Sequence, residues 1–358
     1  MEKKAMDLVR LRQTCCLGLP SEILLPQILA ELHRIIDSER IHFAWTDDLG
    51  NIVNAYFEKP DPVALNYAQN NFYTFQEEIG VSVRRAILFG KATGNYRWPY
   101  RPGFEKTEGY ARLFEALGLK YSLDGVIRDR FRPLGQIVLF RRHDEPDFTV
   151  AEERTLARTL PYIAHAITSR QKSPEAFVET GDTGLLVFDS SGKLIFQSAQ
   201  AKELCLYALH EKIPAGQGGF LGQQETEARL HDLYLQVLRI ESDSAPGASP
   251  PAWLLKNKWG EFQLRAYVLQ SSEGHGSSYG ITVERKVPIE MQMLQKVKEM
   301  PLSNKQREVC FLLLRGVDNE QIAQMLGIKP TTLKEHTQAI YRKLGVGKRD
   351  ELFRLAMA

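Results

Sequence analysis

Lys334, Glu335, Gln338 and Arg342 recur at helical spacing near the C-terminal end, opposite an apolar stripe of Leu333, His336, Ile340 and Leu344. A cation, an acid and an amide placed this way are the groups that read base edges. Lys donates to guanine O6 and N7, Gln pairs with adenine, and Glu accepts from cytosine N4. Thr331 and Thr332 open the same segment, and Lys329, Lys343, Lys348 and Arg349 surround it with donors suited to phosphate oxygens. These ten residues are the candidate contacts to double-stranded DNA. His336, on the inner stripe, is read as packing or bonding a carbonyl instead.

Such a face works only if short helices hold it rigidly. Ser303 with Gln306 is an S-x-x-Q capping box, which starts a helix with Val309, Cys310, Leu312 and Leu313 inward. Gly316 stops that helix. Asp318 with Gln321 caps a second one, with Ile322, Ala323 and Leu326 inside, and Gly327-Ile328 makes a tight turn. Pro330 then suits the first position of a third helix, where its missing N–H is not needed. A fourth short helix runs from about Lys348 to Met357. Two capped helices across a glycine turn are what a duplex reader needs, one to brace the backbone and one to enter the major groove.

The stretches Leu302-Ser-Asn-Lys-Gln-Arg-Glu-Val, Asn319-Glu-Gln-Ile-Ala-Gln-Met-Leu-Gly-Ile, Thr332-Leu-Lys-Glu-His and Ile340-Tyr-Arg-Lys-Leu-Gly-Val resemble the LuxR-type helix-turn-helix domain. The resemblance covers the final sixth of the chain. It implies an all-α four-helix domain in which Lys334 and the outward residues after it meet DNA, with the fourth helix supporting a dimer. Two departures stand out. Lys329 and Lys348 occupy cap positions where that family usually has Ser or Thr, and lysine there opposes the helix dipole. A bound phosphate would reverse that penalty, so both lysines are expected on the DNA backbone.

Charge follows the same division. Residues 301–358 hold 10 Lys+Arg against 6 Asp+Glu, a net of +4, and the rest hold 36 against 38, a net of −2. Positive charge is thus concentrated where phosphates are expected.

The 358 residues allow two or three domains, and 43% hydrophobic with 25% charged residues is an ordinary globular balance. Residues 21–38 read as a helix, Ile41–Phe57 as a hairpin, and 62–118 as mixed helices and loops. Gly125–Asp129 and Gln136–Arg141 read as a strand pair, and Thr149 opens a long amphipathic helix. A polar linker is expected over Ser169–Asp182. A second hairpin follows (Leu185–Asp189, Leu194–Gln197), then a helix at Ala199–Leu209, loops at 214–222 and 244–251, and strands at Phe262–Leu269 and Tyr279–Glu284.

The order of elements over residues 1–172 resembles a GAF domain, and 176–286 resembles a PAS-like domain through Gly184-Leu-Leu-Val-Phe-Asp and the turn at Gly192. Both resemblances imply antiparallel-sheet sensors. The fold class expected is therefore α+β multidomain, with two such sensors before the helical reader at 301–358. Residues 287–300 form a connecting helix, which either pairs with its copy or packs on the sensor. Trp45, Tyr56, Phe72, Tyr73 and Trp98 are the candidate ligand-pocket aromatics, with core packing as the alternative for each.

No enzyme is expected. Gly276-Ser-Ser-Tyr-Gly280 fits G-x-S-x-G, but that motif needs a strand before the serine and a helix after it, and here a strand follows. His143–Asp147 reads as turn chemistry rather than a metal site. The four cysteines (15, 16, 205, 310) form neither a zinc pair nor a disulfide framework, and Cys310 reads as core. With no apolar run long enough to span a bilayer and no signal peptide, the expectation is a cytoplasmic regulator without cofactor. It would act as a homodimer on promoter DNA, with a small molecule or protein as signal and RNA polymerase as a further candidate partner.

Overall fold

The computed structural model describes residues 2–80, 83–94, 103–130, 132–169, 171–174, 176–213, 228, 231–232, 234–235, 252–270 and 277–357. The loops expected at 214–222 and 244–251 lie outside them. Helices α1 (Glu2–Cys15) and α2 (Ser21–Ile35) precede the hairpin β1 (Arg40–Thr46) and β2 (Ile52–Phe57). Then come α3 (Pro62–Asn70), α4 (Phe72–Ile79), α5 (Val83–Phe89), β3 (Thr93–Gly94) and α6 (Glu108–Leu113). The unit closes with β4 (Leu119–Asp129), β5 (Arg132–Arg142) and α7 (Val150–Thr168). Its five strands form an antiparallel sheet in the order β2-β1-β5-β4-β3.

Side chains alternate between the two faces of a sheet. Ile41, Phe43, Leu123, Ile127, Ile137 and Leu139 turn one way, onto Leu24, Ile28 and Leu32 of α2, Leu156, Leu160 and Ile163 of α7, and Leu11 of α1. α7 begins with a reciprocal Thr149–Glu152 capping box, so the amphipathic register read from sequence is fixed at its start.

The second sheet is built from β7 (Thr183–Phe188), β8 (Leu194–Gln197), β9 (Ala252–Asn257), β10 (Gly260–Gln270) and β11 (Ser277–Pro288), in the order β8-β7-β11-β10-β9. One face carries α8 (Ala199–Leu209), which packs Ala201 and Cys205 against Leu186, Phe188, Phe262 and Val283. Gly184 permits this approach, because a Cβ there would stand 2.4 Å from the Ala201 Cα. The expected linker at 169–182 is not wholly free. It contributes β6 (Phe177–Val178), which pairs with Val287 and Pro288 of β11.

The two sheet units share one core. Tyr56 stacks on Tyr207 of α8 with centroids 4.7 Å apart, and the Tyr207 hydroxyl donates to the Phe57 carbonyl at 2.8 Å. Trp45 meets Trp259 edge-on, and the Asn54 side-chain oxygen accepts from Ile213 N at 2.8 Å.

After β11 comes α9 (Ile289–Glu299), the connecting helix, followed by α10 (Asn304–Leu314), α11 (Asn319–Leu326), α12 (Pro330–Leu344) and α13 (Arg349–Met357). α9 packs within its own chain, burying Met291, Met293, Leu294 and Val297. Lys298 on α9 pairs with Glu31 of α2 at 2.6 Å and donates to Thr14 of α1 at 2.9 Å, with both charged side chains under 5% exposed. Burial pulls the Lys298 ammonium below its ordinary pKa and Glu31 opposes that shift.

A buried pair broken on one side leaves a charge with no compensation. Lys298→Met is therefore expected to destabilise the chain by about 3–5 kcal/mol, and adding Glu31→Leu should recover most of the loss. Unfolding midpoints of the single and double variants check this. If the single variant loses nothing, the pair does not hold α9.

Candidate nucleic-acid interface and upstream cavity

The four C-terminal helices enclose a core of Val309, Cys310, Leu312, Leu313, Ile322, Ala323, Leu333, Ile340, Leu352 and Ala356. α10 starts with the reciprocal Ser303–Gln306 capping box. At α11, Asp318 accepts from Gln321 N at 2.9 Å, and Gly327 ends the helix in the left-handed conformation at φ +60°. The turn is thus one residue of αL backbone and two further residues before Pro330, which sits in the first turn of α12.

On α12, Leu333 and Ile340 are buried, His336 and Leu344 are half-buried, and Lys334, Glu335, Gln338 and Arg342 are all exposed. The structure thus gathers these four candidate DNA contacts on one solvent-facing strip. Lys329, at the α12 N-cap, makes no capping bond with its side chain and is exposed, as are Thr331 and Lys348. Thr332 is half-buried. Lys343 is exposed and donates to the Gln306 side-chain oxygen at 2.9 Å.

Arg349 differs from the other candidates. Half-buried, it donates from Nε to the Leu313 carbonyl at 2.6 Å and from a terminal nitrogen to the Val317 carbonyl at 2.8 Å. It therefore ties the end of α10 and the α10–α11 turn to α13, satisfying carbonyls that a helix end leaves open. Sequence reasoning put it among the phosphate contacts because its charge is visible and its partners, over 30 residues upstream, are not.

The pocket aromatics divide sharply. Trp45 and Tyr56 are buried on the helix-packing side of the first sheet. There the Trp45 indole donates to Ser21 Oγ at 3.0 Å, and Tyr56 OH donates to Glu203 at 3.0 Å. Tyr73 is 60% exposed. Trp98 lies outside the described residues. Phe72 lines a cavity of about 240 Å³ under α3 and α4 on the opposite face of the sheet, and Trp45 borders a second one between β1, Arg132–Leu134, Lys212 and Lys258.

The floor of that cavity is the other set of alternating strand residues: Arg40, His42 and Ala44 of β1, Ala55 and Phe57 of β2, Ser122 and Asp124 of β4, and Gln136, Val138 and Phe140 of β5. The strand pairing puts His42 opposite Val138, and Val138 opposite Asp124. Sequence reading missed the polar members. They could have been found as hydrophilic residues at inward-facing positions of strands otherwise apolar on both faces. The roof is held by the Asp61 cap, which accepts from Ala64 N at 2.8 Å and starts α3.

Burial dominates both titratable groups on the floor. It holds the His42 imidazole neutral, down to about 3, and pushes the Asp124 carboxyl up to about 7 against hydrogen bonds from Gln136 Nε2 at 2.8 Å and Ser122 Oγ at 3.5 Å. Ser278 of the G-x-S-x-G match lies within β11, so no helix follows that serine. Among the described residues there is no group of His, Cys, Asp and Glu arranged for a metal ion, and no helix long and apolar enough to cross a membrane.

Two outcomes follow from this geometry. Because the folded-state pKa of Asp124 lies above its unfolded value, proton binding stabilises the fold, and stability falls as pH rises from about 4 towards 7. Asp124→Asn should therefore raise the melting temperature at pH 8 and leave it nearly unchanged at pH 4. An equal effect at both pH values would contradict the buried charge. For Arg349→Ala we expect a loss of about 1.5–3 kcal/mol in stability. A normal salt dependence of DNA binding by the still-folded variant would separate that role from phosphate contact.

Residues 300–356 match the family model described as bacterial regulatory proteins, luxR family. Over 54 residues the chain is 48% identical to an HTH-type transcriptional regulator of Aeromonas salmonicida, covering 15% of this chain and 28% of that one. Over 60 residues it is 37% identical to the HTH-type transcriptional regulator MalT of Yersinia pestis (strain Pestoides F), covering 17% of this chain and 7% of MalT. The chain thus spans well under two thirds of these relatives. Among solved structures, Escherichia coli SdiA is similar at 10% identity and a TM-score of 0.29, over 93% of this chain and 88% of its own. The phage VqmA–DPO complex is similar at 19% and 0.21, over 50% and 82%. At such scores the likeness carries no weight for the upstream units. The helical segment at 300–356, with its capped helix pair and exposed α12 strip, is a LuxR-type helix-turn-helix domain for DNA binding and transcription regulation.

Proposed function

We propose that the chain is a non-enzymatic cytoplasmic transcription regulator that binds promoter DNA as a homodimer, with upstream units that take up a signal. The observation that carries this reading is the exposed strip of Lys334, Glu335, Gln338 and Arg342 on the second helix of a capped helix-turn-helix pair. Two copies would set their α12 helices in successive major grooves, about 10 base pairs apart. Lys334, Glu335 and Gln338 face base edges. Lys329, Thr331, Thr332, Arg342, Lys343 and Lys348 face the sugar–phosphate backbone and the groove margin.

Upstream, the order β2-β1-β5-β4-β3 supports a GAF-like reading for residues 1–172, and the six-stranded sheet with α8 packed on one face supports a PAS-like reading for 176–286. The alternative is that these units only recruit a partner protein. The apolar cavity in the first unit favours a small-molecule signal over that alternative.

Lys334→Ala is expected to cost about 1–3 kcal/mol on the cognate site and to relax base preference at one position. Lys343→Ala and Lys329→Ser should instead weaken all duplexes alike and reduce the salt slope by about 1 each. Binding titrations on cognate and random duplexes across salt concentrations check both. Equal losses on the two duplexes for Lys334→Ala would remove its base-reading role. An unchanged slope for Lys329→Ser would remove its phosphate contact.

A further inference from the structure

Asp124 projects from the middle of the first sheet into a space walled by apolar and aromatic side chains: Phe57 and Phe140 on the floor, Phe72, Phe75 and Ile79 above. Its side chain is 2% exposed, and its hydrogen-bond partners are neutral. Of the cationic groups lining the same space, Lys59 is committed elsewhere, its Nζ pairing with Glu39 at 2.8 Å. Arg40, at the far end of β1, donates from one terminal nitrogen to the Lys59 carbonyl at 3.4 Å and keeps a buried Nε without a hydrogen-bond partner, so Asp124 competes with it for the charge of any ligand. His42, wedged between Phe57 and Phe140 with centroids 4.9 Å from each, carries no charge to offer.

A carboxylate in such surroundings costs several kcal/mol unless a cation or a proton joins it. A core position that needed only a polar filler would be served by Asn, which makes the same bond to Gln136 without that cost. Aromatic faces add attraction for a positive charge rather than a negative one. The size, about 240 Å³, admits a compact molecule and excludes a chain segment or a nucleotide.

We propose that this cavity binds a small organic cation, a protonated amine on a compact apolar body, with its N–H groups donating to Asp124 and its body against Phe72 and Phe75. The site rests on the reading of the first unit as the sensor and supplies its ligand class. Asp124 sets the charge preference and the aromatic walls set the size limit. Gln136 fixes the carboxylate orientation by donating to one of its oxygens, leaving the other to face the ligand beside Ser122.

The test uses the full chain at pH 8 with matched probes: phenylethylamine and tryptamine against their neutral isosteres phenylethanol and tryptophol, and against phenylpropionate. Titration calorimetry is expected to give each amine an affinity at least about tenfold above its neutral isostere, with no binding of the carboxylate. Asp124→Asn should level amine and alcohol. Ala68→Trp, which fills the space from α3, should abolish binding of both while the chain still melts cooperatively. If neither amine exceeds its isostere, or if Asp124→Asn keeps the preference, the proposal is overturned.

DNA binding is read in the same preparations by fluorescence anisotropy. Amines that bind without altering duplex affinity would uphold the site and overturn the sensing role. Intact duplex binding with no amine preference would do the reverse, removing the ligand class while leaving the DNA reader standing.

Discussion

The two-residue alternation of the first sheet is the constraint on which the upstream architecture rests. One set of side chains, Ile41, Phe43, Ile137 and Leu139 among them, is committed to the helical layer of α1, α2 and α7. The complementary set, on the same strands, has to face something else, and what it faces is the space under α3 and α4. A slip of one residue would exchange the two sets, putting Asp124 against Leu156 and Leu160 and opening the core. The register is therefore as strongly specified as the core itself. At the edge of the sheet the same alternation lets β2 serve two neighbours. Phe57 and Ala55 turn to the cavity, and Tyr56 and Asn54 turn to the second unit.

The other structural commitment is α9. Its apolar residues divide between two cores: Met291 and Leu294 join the sensor cluster, and Met293, Val297 and Met300 join the cluster of the reader. Lys298 adds a charge that finds its partners only on α1 and α2. Nearby, Gln295 donates to Gln27, and Arg12 of α1 reaches Glu308 of α10 at 2.9 Å. The helix is thus a strut shared by the upstream units and the helix-turn-helix domain, which is why its stripe is used up within one chain and is not left for a coiled coil.

Local signals in the sequence carried the reader almost entirely. Ser303–Gln306, Asp318–Gln321, Gly327 and Pro330 each act within four residues, and every one is found in its expected place. Most strands of both sheets were legible from alternation, with β3, β6 and β9 the exceptions. What escaped depends on distant partners. In helix α1 the apolar residues Leu8, Leu11 and Cys15 acquire meaning only against α2 and α7. β9 is an edge strand whose residues alternate between half-buried and exposed, beside a proline-rich stretch that masks its start. The cavity escaped because aromatic type was taken as the signal, whereas burial of Trp45 and Tyr56 comes from the second unit docking on them. The informative residue was the polar Asp124, inside a strand whose neighbours are buried on both faces.

The same packing fixes which face of the helix-turn-helix domain is left open. Upstream contacts fall on α10 and α13, through Arg12–Glu308 and the packing of α9, while Lys334, Glu335, Gln338 and Arg342 on α12 stay exposed. Among the described residues, the upstream units leave that face uncovered. Since α9 belongs to both cores and is anchored by a buried ion pair, detaching the helix-turn-helix domain from the upstream units would uncover an apolar stripe and separate two buried charges, at a cost of several kcal/mol.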